Sequence, residues 1–156
     1  MIGASANTSR PSYFVLKYLV AKGYRVIPIN PGLTGREISG QKVVGQLADL
    51  EGPVDMVDVF RNSEAALDVV REAIALKDKL QLTVIWMQLG VRNDAAAAMA
   101  EAAGLEVVMN RCPKIEYGRL SGEIGWSGVS TGILSSKRPL LGQGLQNQRI
   151  GQTPGK

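Results

Sequence analysis

Short apolar runs that alternate with helical patterns constrain this chain more than any other feature. Leu82-Thr83-Val84-Ile85-Trp86-Met87 is nearly continuous in apolar residues, as a strand covered on both faces must be. Arg25-Val26-Ile27-Pro28-Ile29 is short and β-branched, residues 54–60 alternate and then end apolar, and residues 105–109 form a fourth candidate strand. Helical spacing fills the gaps. Residues 12–22 carry Tyr13, Val15, Leu16, Leu19 and Val20 and stop at Gly23, a glycine stop signal. Residues 63–76 place Ala66, Leu67, Val70, Ala73 and Ile74 on one face, with Ser63 read as the N-cap. Residues 93–103 are alanine-rich and stop at Gly104. The stretch 32–49 is less regular and is expected to hold a turn and a short strand around Val43-Val44. Strand–helix alternation with short connections predicts an α/β fold, a Rossmann-like doubly wound parallel sheet in three layers.

The chain has 156 residues, enough for one domain and little more. Residues 1–119 form the expected domain. Residues 120–156 hold eight of the 18 glycines and most of the net charge of +4, and are expected to be a partly disordered tail. The body is therefore nearly neutral, and a basic nucleic-acid face is not written into it. One cysteine, Cys112, allows no internal disulfide and suits a reducing compartment. The absence of histidine removes imidazole acid–base chemistry, Ser–His–Asp triads and histidine metal ligands together. One cysteine without histidine does not make a structural zinc site. No apolar run approaches the roughly 18 residues of a membrane span, so a cytoplasmic chain is expected.

The first loop signal, Gly3-Ala4-Ser5, follows only Met1-Ile2. In this kind of fold the loop leaves the end of the first strand, mid-sheet, and a strand takes about five or six residues. The first strand is therefore largely missing, and its neighbours are expected to leave ladder groups unpaired at roughly 1–3 kcal/mol per buried orphan. Either the natural protein is longer or the chain as written is unstable.

Ligands of open α/β sheets bind beyond the carboxyl ends of the strands, and four loops stand there. The loop Gly3-Ala4-Ser5-Ala6-Asn7-Thr8-Ser9-Arg10-Pro11-Ser12 joins glycine, hydroxyls and Arg10 to a helix start, a combination that can hold a phosphate. The second strand ends Pro28-Ile29-Asn30-Pro31-Gly32, without the carboxylate that binds the ribose 2′-hydroxyl of NAD. A differently phosphorylated adenosine fits better. Phe60-Arg61-Asn62-Ser63-Glu64 offers an arginine for phosphate and a ring for a base, and Met87-Gln88-Leu89-Gly90 places a polar group at the same edge. Each loop taken alone reads as well as an ordinary strand–helix connection with a capping residue. Cys112 lies near Arg111 and Lys114, cations that lower a thiol pKa when close. Without histidine to activate it, a small buried residue is the better reading.

Taken in order, these pieces are more specific than any one of them. Together with Asp55-Met56-Val57-Asp58-Val59 and Asn110-Arg111-Cys112-Pro113-Lys114-Ile115-Glu116-Tyr117, they resemble the small stand-alone CoA-binding proteins. That domain is similar to the N-terminal, CoA-binding domain of the succinyl-CoA synthetase α subunit. The resemblance covers residues 1–119 and implies binding of coenzyme A or an acyl-CoA through its ADP portion. It implies a phosphate loop of Gly3, Ala4, Ser5, Ser9 and Arg10. Asn30 and Pro31 would flank the nucleotide, Phe60, Arg61 and Ser63 would close the pocket, and Gln88 and Gly90 would form its far side. The family often has histidine where Tyr117 stands, which weakens any acid–base role there. The larger relatives carry a phosphohistidine domain and a nucleotide-grasp domain that this chain lacks, so no complete CoA ligase is implied. Three readings follow: a non-catalytic CoA-binding module, an NAD(P)-binding oxidoreductase or redox sensor, and a CoA-binding subunit of a separately encoded ligase. A homodimer is compatible with each.

Overall fold

The computed structural model describes residues 1–121. The expected glycine-rich tail lies, beyond Ser121, outside the described residues. Contacts divide the chain into two units, Met1–Pro113 and Lys114–Lys156. The elements are α1 (Pro11–Ala21), β1 (Glu37–Ile38), β2 (Gln41–Lys42), β3 (Met56–Val59), α2 (Ser63–Ala75), α3 (Lys77–Leu80), β4 (Val84–Met87), α4 (Asp94–Ala102), β5 (Glu106–Val108) and α5 (Pro113–Leu120).

β3, β4 and β5 pair in parallel in that order, with Val59 opposite Met87 and Val84 opposite Glu106. Single parallel bridges widen this ladder: Ile2 pairs with both Val59 and Ile29, and Ile29 pairs with Val44. Across the sheet the chain therefore runs through Val44, Ile29, Ile2, β3, β4 and β5, which is the doubly wound order 3-2-1-4-5-6. The direction of winding reverses between Ile2 and β3.

Met1 to Gly3 fill the central position despite their brevity. Ile2 N–H donates to the Asp58 carbonyl at 2.8 Å, and its own carbonyl accepts from Phe60 N–H at 2.9 Å. On the other side Ile29 N–H donates to the Met1 carbonyl at 2.9 Å and Gly3 N–H to the Ile29 carbonyl at 3.0 Å. The ladder groups expected to be orphaned at the carboxyl end of the sheet are thus paired. The expected strand at residues 25–29 is corrected to a single bridging residue, Ile29. Only Met1 and Ile2 stand before the first loop to pair with it, and Pro28 has no N–H to give. The expected strand at Val43-Val44 is likewise one bridge at Val44, beside the antiparallel β1–β2 hairpin.

Strand side chains alternate between faces. Val57, Val59, Ile85 and Met87 join Ala66, Val70 and Ala73 of α2 and Ala96 and Ala100 of α4 in one buried cluster. The alanines let the two helices approach each other closely. α1 buries Val15, Leu16 and Leu19, none of which belongs to that cluster. Right-handed crossovers on either side of a winding reversal place their helices on opposite faces, and three layers result.

Helix boundaries match the sequence pattern within a residue or two, with one correction. Asn62, not Ser63, caps α2: its side-chain oxygen accepts from Ala65 N–H at 2.9 Å. Asn93 caps α4 in the same way through Ala96 N–H. In the second unit, Arg119 pairs with Glu116 within α5 at 2.9 Å.

Candidate functional site

The winding reversal opens a crevice between the ends of the first strand and β3, and Gly3 stands in it. A Cβ on Gly3 would lie 2.8 Å from the Phe60 carbonyl oxygen and 3.2 Å from Arg61 Cδ. Its φ is +84°, a conformation that side chains resist. Only glycine lets the first loop pass this close to the end of β3, and the approach brings Phe60 and Arg61 against the loop.

The loop is built by its own hydroxyls and amides. Ser12 Oγ accepts from Ser5 N–H at 3.1 Å, and Ser5 Oγ from Asn7 N–H at 3.2 Å. Asn7 Oδ1 accepts from both the N–H and the hydroxyl of Ser9. Ser9 therefore shapes the loop with its donors, and Ala4 is buried beneath it. α1 follows with Pro11 in its first turn, no side-chain cap at Arg10 and no acidic residue in the first turn. The positive end of this helix is left for an external anion, with the exposed Arg10 beside it.

Asn30 ties the second loop to the first. Its Nδ2 donates to the Ala4 carbonyl at 2.7 Å, and its Oδ1 accepts from Gly32 N–H at 2.9 Å. Pro31 opens the 3-10 turn Pro31–Leu33 that this contact caps. Asn30→Ala is expected to lower stability by about 1–2 kcal/mol, the usual cost of a lost cap and a lost buried partner. Coenzyme A affinity, measured by calorimetry, should fall with it as the two loops part.

Beyond β3 and β4 the remaining predicted residues separate. Ser63 Oγ accepts from Arg92 N–H at 3.0 Å and donates to the Gly90 carbonyl at 3.5 Å. Gly90 N–H donates to Asn110 Oδ1 at 2.8 Å. Ser63 and Gly90 thus join two strand-end loops to each other. Gln88 instead lines a cavity of about 260 Å³. Its apolar wall is Pro11, Val15, Phe60, Leu89, Val91 and Cys112, and Arg61 and Gln88 are its charged and polar members. Cys112 is buried, as its sequence context suggested.

Gln88 is fixed from below. Its Nε2 donates to Asp58 Oδ1 at 2.9 Å, while Asp58 Oδ2 is buried without a partner. Burial pushes the Asp58 carboxyl up to about 6, against the opposing pull of the Met1 ammonium and the Gln88 bond. Burial also pushes the Met1 ammonium down, Asp58 partly restoring it. The sequence reading passed over Asp58. Its signal was a carboxylate at a mid-strand position flanked by Val57 and Val59. Asn110, which adopts φ +55° to hold the Gly90 turn, also went unread.

The first loop, Asn30, Phe60, Arg61 and Gln88 converge on one end of the sheet, whereas Ser63 and Gly90 brace the loops behind it. Among the described residues there is no cluster of metal-ligating side chains and no helix long and apolar enough to cross a membrane.

Comparison with known proteins identifies the family. The family model described as CoA binding domain matches residues 1–118. The uncharacterized protein YneT of Bacillus subtilis is 34% identical over 117 residues, covering 75% of this chain and 82% of its own length. A solved structure from Thermus thermophilus is 39% identical with a TM-score of 0.70, over 76% of this chain and 85% of that one. A hypothetical protein from Pyrococcus horikoshii OT3 is 33% identical with a TM-score of 0.69, over 76% and 79%. With the glycine-gated crevice at the reversal of the sheet and this match along nearly the whole described chain, the protein belongs to the CoA-binding domain family.

Proposed function

We propose that this chain binds coenzyme A through its ADP portion and performs no chemistry on its own. The observation that carries the reading is the passage of Gly3 against the Phe60 carbonyl at the winding reversal, the place where doubly wound folds receive nucleotides. The pyrophosphate meets the uncapped start of α1 and Arg10, and the adenosine lies toward Asn30 and Pro31. No carboxylate stands at the end of the second strand to take a free ribose diol, which favours coenzyme A over NAD. The absence of histidine removes the imidazole base that most often activates a nucleophile. We place this activity in the cytoplasm, a reducing compartment that suits a chain with one cysteine.

Calorimetric titration with coenzyme A and with NAD tests the reading. Micromolar binding of coenzyme A and none of NAD is expected, and the reverse order would replace it with a nicotinamide-dependent function. Arg10→Ala should weaken coenzyme A about tenfold, since a charge-assisted phosphate contact contributes roughly 1.5–3 kcal/mol. Unchanged affinity would remove Arg10 from the site.

A further inference from the structure

We propose that binding of coenzyme A is coupled to protonation of Asp58, so that the site holds its ligand more tightly as the pH falls and releases it as the pH rises. This names a regulation of the coenzyme A site and rests on that reading. Placement is the first argument. Asp58 is 3% exposed and lies on β3, where the winding reverses, its carbonyl accepting from Ile2 N–H at 2.8 Å. From Asp58 to Arg61 the chain advances about 10 Å, at roughly 3.3 Å per residue. There Phe60 and Arg61 meet Gly3 of the phosphate loop. Asp58 Oδ1 accepts from Gln88, a residue of the cavity wall. Oδ2 is buried with no hydrogen-bond partner. A proton on Oδ2 cancels the charge and leaves the bond at Oδ1 in place.

Surroundings are the second. Side chains alternate along a strand, so Asp58 faces away from the cluster under α2 and α4, and its partner in register on β4 is the uncharged Trp86. On the first strand the Met1 ammonium pulls on the carboxylate, and that ammonium is itself bonded to the Ile27 carbonyl at 3.0 Å. The buried residues of α1 are Ser12, Val15, Leu16 and Leu19, none of them charged. Arg61 and Cys112 join Gln88 in the cavity wall, and both Arg61 and Arg10 are exposed to solvent, which screens them.

Charge is the third. The ligand is a polyanion, and like charges about 10 Å apart at an effective dielectric near 20 disfavour each other's ionisation about tenfold. Burial pushes the Asp58 carboxyl up to about 6 before a ligand arrives. Bound phosphates push it further, into the neutral range, and binding draws a proton from solvent onto Oδ2. The protonated protein is then the better binder, so affinity is highest in acid and falls as the pH rises through these values.

The test titrates coenzyme A and 3′-dephospho-coenzyme A into the wild-type chain and Asp58→Asn by calorimetry between about pH 5 and pH 8. The second probe keeps the pyrophosphate but has no phosphate monoester, whose own ionisation near pH 6 opposes the effect. Asparagine stays uncharged throughout and keeps an acceptor for Gln88, and thermal melts confirm that the variant folds. The ratio of variant to wild-type affinity cancels every pH dependence common to both chains. It is expected to rise from about one at pH 5 to about tenfold at pH 8. Titrations near pH 6.5 in buffers of different ionisation enthalpy should show the wild type taking up about half a proton more than the variant, a difference that a merely structural role would not produce. A constant ratio, or equal proton uptake by the two chains, overturns the coupling and leaves the coenzyme A reading standing. A wild-type affinity for 3′-dephospho-coenzyme A that rises with pH does the same without the variant. Absence of binding of either ligand by the folded wild type at every pH overturns both readings.

Discussion

Gly3→Ala is expected to destabilise the protein by about 3 kcal/mol and to abolish measurable binding of coenzyme A. Two costs add. A side chain at φ +84° costs roughly 1–2 kcal/mol, and forcing a methyl group into a packed contact costs roughly 1–3 kcal/mol more. The contact here is with backbone, the Phe60 carbonyl at 2.8 Å, so no side chain can swing aside. Relief requires the first loop to move away from β3, which opens the crevice where we propose that the nucleotide binds. Gly23→Ala is the control. Gly23 has φ +88° but nothing within 4 Å of its Cβ position, so only the conformational cost applies. Urea unfolding of both variants separates the terms. If Gly3→Ala were no worse than Gly23→Ala, the close approach would have no energetic weight.

Asp58→Asn is expected to raise stability at pH 7 by about 3 kcal/mol. A folded-state carboxyl pushed from 3.8 to about 6 holds its proton more tightly than the unfolded chain does. At this group the folded state then binds more protons between those values, so its contribution to stability falls as pH rises from about 4 to about 6 and is level above that. A shift of about two units corresponds to about 3 kcal/mol. Asparagine keeps the acceptor for Gln88 and replaces the unpartnered oxygen with an uncharged group, so it mimics the protonated acid. The variant should match the wild type near pH 4 and exceed it at pH 7. Chemical unfolding across pH 4–8 reads both curves; a stability difference between variant and wild type that failed to grow between pH 4 and pH 6 would refute the assignment. Gln88 is oriented by the same bond, so the substitution should leave the cavity lined as before.

The fold was legible because its helices and central strands carry strong periodicity. β4 announces itself as an apolar run, α1 and α4 stop just before Gly23 and Gly104, and α2 and α4 start at the asparagine caps Asn62 and Asn93. The winding order could not be read from the chain, because residues 1–3, 29 and 44 join the sheet through single bridges. Those bridges depend on neighbours far away in sequence, and no local preference marks them. The candidate site was legible as a set of strand-end loops only through their order along the chain, since each loop alone matches an ordinary strand–helix connection, as the caps Asn62 and Asn93 are. What remained hidden was the division of labour. Ser9, Ser63 and Asn30 all read as ligand contacts, yet their polar atoms bond to the protein itself. The Asp58 and Gln88 pair stayed unread because it joins two strands 30 residues apart.

The placement of the buried cluster beneath α2 and α4, away from the loops that face the crevice, has an evolutionary consequence. Residues that hold the molecule together and residues that meet the ligand are largely different sets on different faces. Lineages carrying such a scaffold are free to drift at the exposed Leu89, whereas Val91, though it lines the cavity, belongs to the buried cluster. The alanine seam between the two helices is under the opposite regime, since any larger side chain there would pry the layer apart. Substitution rates along a set of orthologues should therefore be slowest at Ala66, Ala73, Ala96 and Ala100 and fastest along the cavity's outer lip.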